Sequence, residues 1–390
     1  MADARLSRRQ LIGRGSSAAA AFGLASLLAA CGSIEGTNEK GLRERQAEAE
    51  RVDHPRVTLG QWVFANWALY MDKAILKDFD ERYGGRVKHV EEINDNNDFY
   101  SKVRQQLSAG QPTGRDLAVL SDWLVARMIR SGQLEPIDRD NVPNAVNVVD
   151  TLARPGWDPQ RQFSLPYQSG AVGIGYDIEQ TGRELHSLRE LFSPEWKGRV
   201  TFFSDVLDGA GTVLVMQGKD ATNATLDDEL EAIEYIARAN AAGQFRRFTG
   251  NDYTTDLAKG NVALALAYSG DMVQLQADNP NLRFAYGEEG AVLFTDNLVM
   301  PAKAEHPYAA ETMMNHLYEP AVAAKLCEYV CYISPVRGVQ QIVARSDPEL
   351  AENPLVFPPD DVRAKLQPYP SFSTADELTM KEAMAMVTGA

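Results

Sequence analysis

The sequence predicts an α/β fold with mostly parallel sheets, spread over two lobes. Three observations predict it. From Val57 onward, short β-rich runs alternate with amphipathic segments, the pattern of parallel strands joined by helices. At 390 residues the chain is too long for a single small core. Carboxylates and aromatic residues follow the strand runs, and in open α/β sheets ligands sit beyond the carboxyl ends of the strands.

The strand runs are Val57–Val63, Val87–Ile93, Leu117–Ser121, Val172–Tyr176, Val200–Phe203, Val262–Tyr268, Leu282–Tyr286 and Leu298–Met300. Helical stretches lie between them, including Asp72–Tyr83, Phe99–Ala109, Asp122–Ser131 and Asp227–Ala241. The last carries Leu230, Ile233, Tyr235, Ile236 and Ala237 at helical spacing, starts after Thr225 and ends before Gly243. Gly170, Gly173 and Gly175 mark a glycine-rich strand, since no helix pattern follows in the register of a dinucleotide fingerprint.

The N-terminus reads as an address. Arg8-Arg9 and the apolar Leu11-Ile12 precede a short Ala-rich stretch, the layout of a secretory signal that resembles a twin-arginine one. Leu28-Ala29-Ala30-Cys31 resembles the lipobox of bacterial lipoproteins, which implies acylation at Cys31. Residues 1–30 are therefore read as a signal peptide and 31–56, polar and poor in large apolar side chains, as a tether. The chain has no apolar run of membrane-spanning length. The product is expected to sit outside the cytoplasmic membrane, held by a lipid.

Acidic residues outnumber basic ones by 54 to 39, for a net charge of −15. Such a surface argues against nucleic acid as a partner; it suits either solubility or capture of a small cation. Three cysteines make no disulfide framework. Cys327 and Cys331 share a helix face, which leaves a bridge or two buried thiols open. The five histidines are isolated, and neither a phosphate loop nor a nucleophile elbow is present. Asn94–Asp98 is rich in oxygen ligands but lacks calcium-loop spacing, and reads as a polar turn capping a helix. No catalytic residue, metal or cofactor is expected, although two aspartates alone would suffice for a glycosidase.

The strand ends carry the candidate chemistry. Trp67 and Tyr70 follow the first strand, and Ser121 and Trp123 the third. Asp205 and Asp208 follow Val200–Phe203, Tyr268 ends its strand, Phe294 and Asp296 precede a short strand, and Tyr332 follows the helix of Cys327. Aromatic faces with carboxylates suit an organic cation, because a ring attracts the ammonium and a carboxylate accepts its hydrogen bonds. The plainer account makes Trp67 and Tyr268 core residues and Asp205 and Asp208 helix caps.

Several segments, in order, resemble the spermidine/putrescine-binding proteins of polyamine importers. They are 62–72 (WVFANWALYMD), 118–128 (AVLSDWLVARM), 164–177 (SLPYQSGAVGIGYD), 188–205 (LRELFSPEWKGRVTFFSD), 264–276 (LALAYSGDMVQLQ) and 286–301 (YGEEGAVLFTDNLVMP). The resemblance implies a periplasmic-binding-protein-like type II fold, two α/β lobes with a ligand cleft and crossovers near 167–170 and 295–297. Lobe 1 would span 57–167, completed by about 297–340, and lobe 2 would span 168–296, completed by about 341–390. It implies a monomeric receptor that takes a polyamine to ABC permease subunits, with Trp67, Tyr70, Ser121, Trp123, Asp205, Asp208, Tyr268, Phe294, Asp296 and Tyr332 at its binding positions. Tyr268 and Phe294 stand where that family usually has tryptophan, and Ser169 where it has a bulky aromatic, which leaves the ligand open to another organic cation. An envelope hydrolase using paired aspartates is the rival from a different class.

Overall fold

The computed structural model describes residues 52–389. The signal reading of 1–30, Cys31 and the tether up to residue 51 lie outside the described residues. The last tether residues are tied to the body. The His54 ring lies 2.6 Å from Glu311 Oε1, its carbonyl accepts from Asn141 at 2.8 Å, and Arg56 reaches the carbonyl of Asp140 at 3.2 Å. Polarity argued for solvation there, whereas these side chains find polar partners on the folded surface.

In chain order the first half supplies β1 (Gln61–Trp67), α1 (Lys73–Tyr83), β2 (Arg86–Ile93), α2 (Asn96–Ser108), β3 (Leu117–Ser121), α3 (Asp122–Arg130) and the short β4 (Leu134–Glu135). The long strand β5 (Ser164–Asp177) leads away from it. The second half supplies β6 (Val200–Phe203), α4 (Val206–Met216), α5 (Leu226–Ala241), β7 (Phe245–Thr249), α6 (Tyr253–Ala258), β8 (Leu264–Tyr268), α7 (Ser269–Asp278) and β9 (Leu282–Ala285). The second long strand, β10 (Ala291–Pro301), returns the chain to α8 (Pro307–Leu317) and α9 (Pro320–Val330). Then come α10 (Val339–Ser346), the strap strand β11 (Leu366–Pro368) and α11 (Thr374–Thr388), which packs on α5.

The strands make one curled mixed sheet in the order β2-β1-β3-β10-β5-β8-β6-β7, with β4 and β11 on β10 and β9 on β5. Pairing is parallel within β2-β1-β3 and within β8-β6-β7. It is antiparallel where β10 meets β3 and β5 and where β5 meets β8, so that β10 and β5 cross between the two parallel sets. The expected mostly parallel sheets thus hold within each half, and the crossing is the antiparallel part.

Local chemistry accounts for the element ends. Asp95 caps α2 by accepting from the N–H groups of Asn97 and Asp98 at 2.7 and 3.1 Å, the role expected of the Asn94–Asp98 turn. Thr225 and Asp228 form a capping box that opens α5. β1 lies four residues later than expected, because Gly60 at φ 65 ends the preceding extended stretch. Cys327 and Cys331 are free thiols.

The glycines of β5 are steric necessities. A Cβ on Gly170 would lie 2.6 Å from the Phe294 ring, and one on Gly175 would lie 2.7 Å from Met272 Sδ and 2.8 Å from Ala267 Cβ. Overpacking at such a contact costs about 1–3 kcal/mol. Gly175→Ala is therefore expected to lower the urea-unfolding free energy by roughly that amount. Unchanged stability would show that β5 has slack there.

Candidate functional site

A cleft opens where the ends of β1, β3, β6 and β8 meet β10; the space within it not filled by protein atoms, open solvent included, is about 510 Å³. The structure brings nine of the ten expected residues to it: Trp67, Tyr70, Ser121, Asp205, Asp208, Tyr268, Phe294, Asp296 and Tyr332. Trp123 is elsewhere. It begins α3 with Asp122, and the helical turn carries it away from Ser121 into an adjoining cavity beside Trp157 and Phe372.

Three aspartates of the cleft are nearly removed from water: Asp296 is 5% exposed, Asp208 3% and Asp205 8%. Asp296, on β10, accepts from Ser121 Oγ at 2.6 Å and Tyr70 Oη at 3.1 Å. Ser121 is itself oriented by Asn96, whose Nδ2 donates to its hydroxyl at 2.9 Å. Asp208 accepts from Tyr268 Oη at 2.7 Å and from the hydroxyl of Tyr369. Asp205 caps α4 through the N–H groups of Leu207 and Asp208 at 3.0 and 3.4 Å. Its plainer reading as a cap and its place in the cleft are both real.

Asp271, on α7, joins them by accepting from Tyr332 Oη at 2.6 Å and Tyr253 Oη at 2.8 Å. It stands three residues after Tyr268, so one helical turn brings both to the same mouth. Asn96, Asn251, Gln274 and Tyr369 also line the cleft without having been expected there. Tyr369 arrives on the strap behind β11, whose pairing with β10 has no signal in the local sequence.

The walls are aromatic. Tyr268 meets Phe294 edge to face at 5.0 Å between ring centroids, and Tyr70 meets Tyr332 at 5.3 Å. Tyr332 fits because Gly170 and Gly270 leave it room: a Cβ on either would collide with its ring.

Neutral donors surround these carboxylates, and no lining residue among those described is Lys, Arg or His. Burial consequently pushes each carboxyl up. Asp296 rises to about 7 against the pull of Ser121 and Tyr70, and Asp208 to about 6 against Tyr369 and Tyr268. Asp205 rises well above its ordinary value through burial and the neighbouring Asp208, and Asp271 rises through burial. The cleft is an anionic site short of a cation.

Two parallel sheet halves joined by crossing strands, with an aromatic and anionic cleft at the strand ends, define a binding protein for a small solute. The chain belongs to the bacterial extracellular solute-binding proteins, whose family profile matches residues 74–358. It is 29% identical over 321 residues to the putrescine-binding periplasmic protein PotF of Escherichia coli, covering 77% of this chain and 84% of that one. It is 24% identical over 341 residues to spermidine/putrescine-binding periplasmic protein 1 of Haemophilus influenzae, covering 87% and 89%. Its fold is similar to that of the TpPotD lipoprotein of Treponema pallidum, with a TM-score of 0.72 at 19% identity over 85% of this chain and 100% of that one. The fold is thus of the periplasmic-binding-protein-like kind. Members of this family are exported binding components of transport, and the chain is a binding protein rather than an enzyme.

A carboxyl raised in the folded state binds its proton more tightly there than in the unfolded chain. Stability contributed by that group is therefore full below about pH 4 and falls as pH rises through about 7. Asp296→Asn removes this loss. Its thermal stability relative to the parent, both without ligand, is expected to grow across that window, by on the order of a few kcal/mol at pH 8. A pH-independent difference would show that Asp296 is ionised throughout.

Proposed function

We propose that the chain is the receptor of an ABC importer, capturing a polyamine of the putrescine/spermidine type outside the cytoplasmic membrane and delivering it to the permease. The observation that carries this reading is the convergence of Asp205, Asp208, Asp271 and Asp296 on a cleft with aromatic walls and, among the described residues, no basic lining residue. A polyamine matches both features. Its ammonium groups satisfy carboxylates that are costly to bury alone, and its methylenes lie against rings. The relatives named above as putrescine-binding and spermidine/putrescine-binding proteins support the same ligand class.

In this reading lobe 1 is 57–167 with about 297–340, and lobe 2 is 168–296 with about 341–390. β5 and β10 act as the crossovers. Tyr70 and Ser121 come from the first side, Asp205, Asp208, Tyr268 and Asp271 from the second, and Asp296 from the crossover β10. A ligand touching both sets favours the closed arrangement by contacts that the open one lacks. Cys31 carries the lipid.

Calorimetric titration of residues 32–390 with putrescine, spermidine and spermine tests the ligand. Saturable binding is expected, weakened by roughly thirtyfold or more in Asp296→Ala, as for loss of one partner of a buried charge pair. Because binding requires the ionised carboxylates, affinity is expected to be about tenfold lower at pH 6 than at pH 8, with protons released on binding. No heat with folded, ligand-stripped protein would sink the polyamine assignment and turn the search to other organic cations. Cys31→Ser in the full chain is expected to move the protein from the membrane fraction to the soluble exported fraction. Retention on the membrane would refute the lipid anchor.

A further inference from the structure

The residue after Asp296 is held by contacts outside the cleft. Asn297 is fully buried. Its Nδ2 donates to Asp122 Oδ1 at 2.6 Å, and its Oδ1 accepts from Arg161 Nη1 at 2.8 Å. The Arg161 guanidinium also donates to Ser164 Oγ at 3.0 Å and to the carbonyl of Leu152, at 3.0 Å from Nε and 2.6 Å from Nη2. Trp157 stacks 5.2 Å from it. Asp158 fastens the same loop by accepting from Ser164 Oγ and the N–H groups of Gln162 and Phe163. Arg161 adopts φ 52, a conformation that non-glycine residues keep only where the surroundings enforce it.

These contacts are coupled to the cleft by register. Ser121 lies opposite Asp296 on the neighbouring strand and donates to it, while the next residue, Asp122, accepts from Asn297. Two consecutive residues at the junction of β3 and α3 are thus fastened to two consecutive residues of β10. The other flank of β10 is irregular at this point: Asp296 faces Gln168, whereas Asn297 faces Pro166, so Tyr167 is an extra residue in β5. Pro166 has no N–H to give to the ladder. Pairing with β5 is thus interrupted beside the cleft carboxylate, at the point where the side-chain contacts of Asn297 are made.

We infer that Asn297, clamped between Asp122 and Arg161, is a positioning residue that sets where the Asp296 carboxylate stands in the cleft. It touches no ligand and acts through Asp296. The inference rests on the receptor reading only in that Asp296 receives a cationic group of the solute.

The test is a double-mutant cycle read by polyamine titration. Asn297→Ala is expected to weaken binding about tenfold in the parent, yet no more than two- to threefold when Asp296 is already Asn, because neighbours that work as a unit are not additive. Equal losses in both backgrounds, or no loss in the parent, would overturn the inference. If Asn297→Ala does not fold, Asp122→Ala replaces it in the cycle. Asp122→Asn, which keeps the acceptor oxygen, is expected to bind within about threefold of the parent, and a loss as large as that of Asp122→Ala would count against the clamp. Should the parent bind no polyamine, the receptor assignment fails by itself, and a crystal structure of ligand-free Asn297→Ala, or of Asp122→Ala in its place, decides this point. Asp296 displaced from Ser121 supports positioning, and an unmoved carboxylate refutes it.

Discussion

Four aspartates share one cleft, and the protein supplies them with hydroxyls and backbone amides but, among the described lining residues, no cation. Neutral donors stabilise a carboxylate only partly once water is removed, which is why burial still lifts Asp296 to about 7. A fold meant only to be stable would place basic side chains there. In the receptor reading, that cost is what a cationic solute offsets. The hydrogen bonds from Tyr70, Tyr268, Tyr332 and Tyr253 aim the carboxylates without neutralising them.

The same constraint gives Tyr268 and Ser169 their places. Tryptophan is the stronger cation–π partner, but Tyr268 turns its hydroxyl to Asp208 at 2.7 Å while its ring still faces Phe294. Ring strength is traded for control of a carboxylate. Ser169 lies opposite Thr295 and bonds to its hydroxyl at 2.8 Å, so a bulky aromatic has no place between the crossing strands. The glycines complete this arrangement, since Phe294 and Tyr332 occupy the space that Gly170 leaves.

Much of the fold was legible in the sequence where an apolar run is short and unbroken or a cap is local. β3 and β6 fall at the expected Leu117–Ser121 and Val200–Phe203, since both are compact apolar runs. The caps at Asp95 and Thr225 followed from local side-chain chemistry. β5 and β10 were glimpsed only as Val172–Tyr176 and Leu298–Met300, because strands buried on both faces lose the alternation that marks a strand, and Ser164, Gln168 and Asn297 break the apolar run. β7 was missed because Arg246 and Arg247 interrupt its apolar pattern at the sheet edge. In the cleft, residues at strand ends were readable from order alone. Tyr369 and Asn251 were not, since one comes on a distant strap and the other follows the unrecognised β7.

The same electrostatics weigh between candidate solutes. Opening the cleft to a singly charged compound would offset one carboxylate and leave the others competing for protons, with Asp208 still raising the cost of ionising Asp205. A betaine-like solute would add a further carboxylate to the cleft. A solute carrying two or three ammonium groups on a flexible apolar chain can ionise several aspartates at once while its methylenes meet Trp67, Tyr70, Tyr268 and Phe294. In the polyamine reading proposed above, charge number therefore weighs before shape, and the aromatic walls then act on chain length.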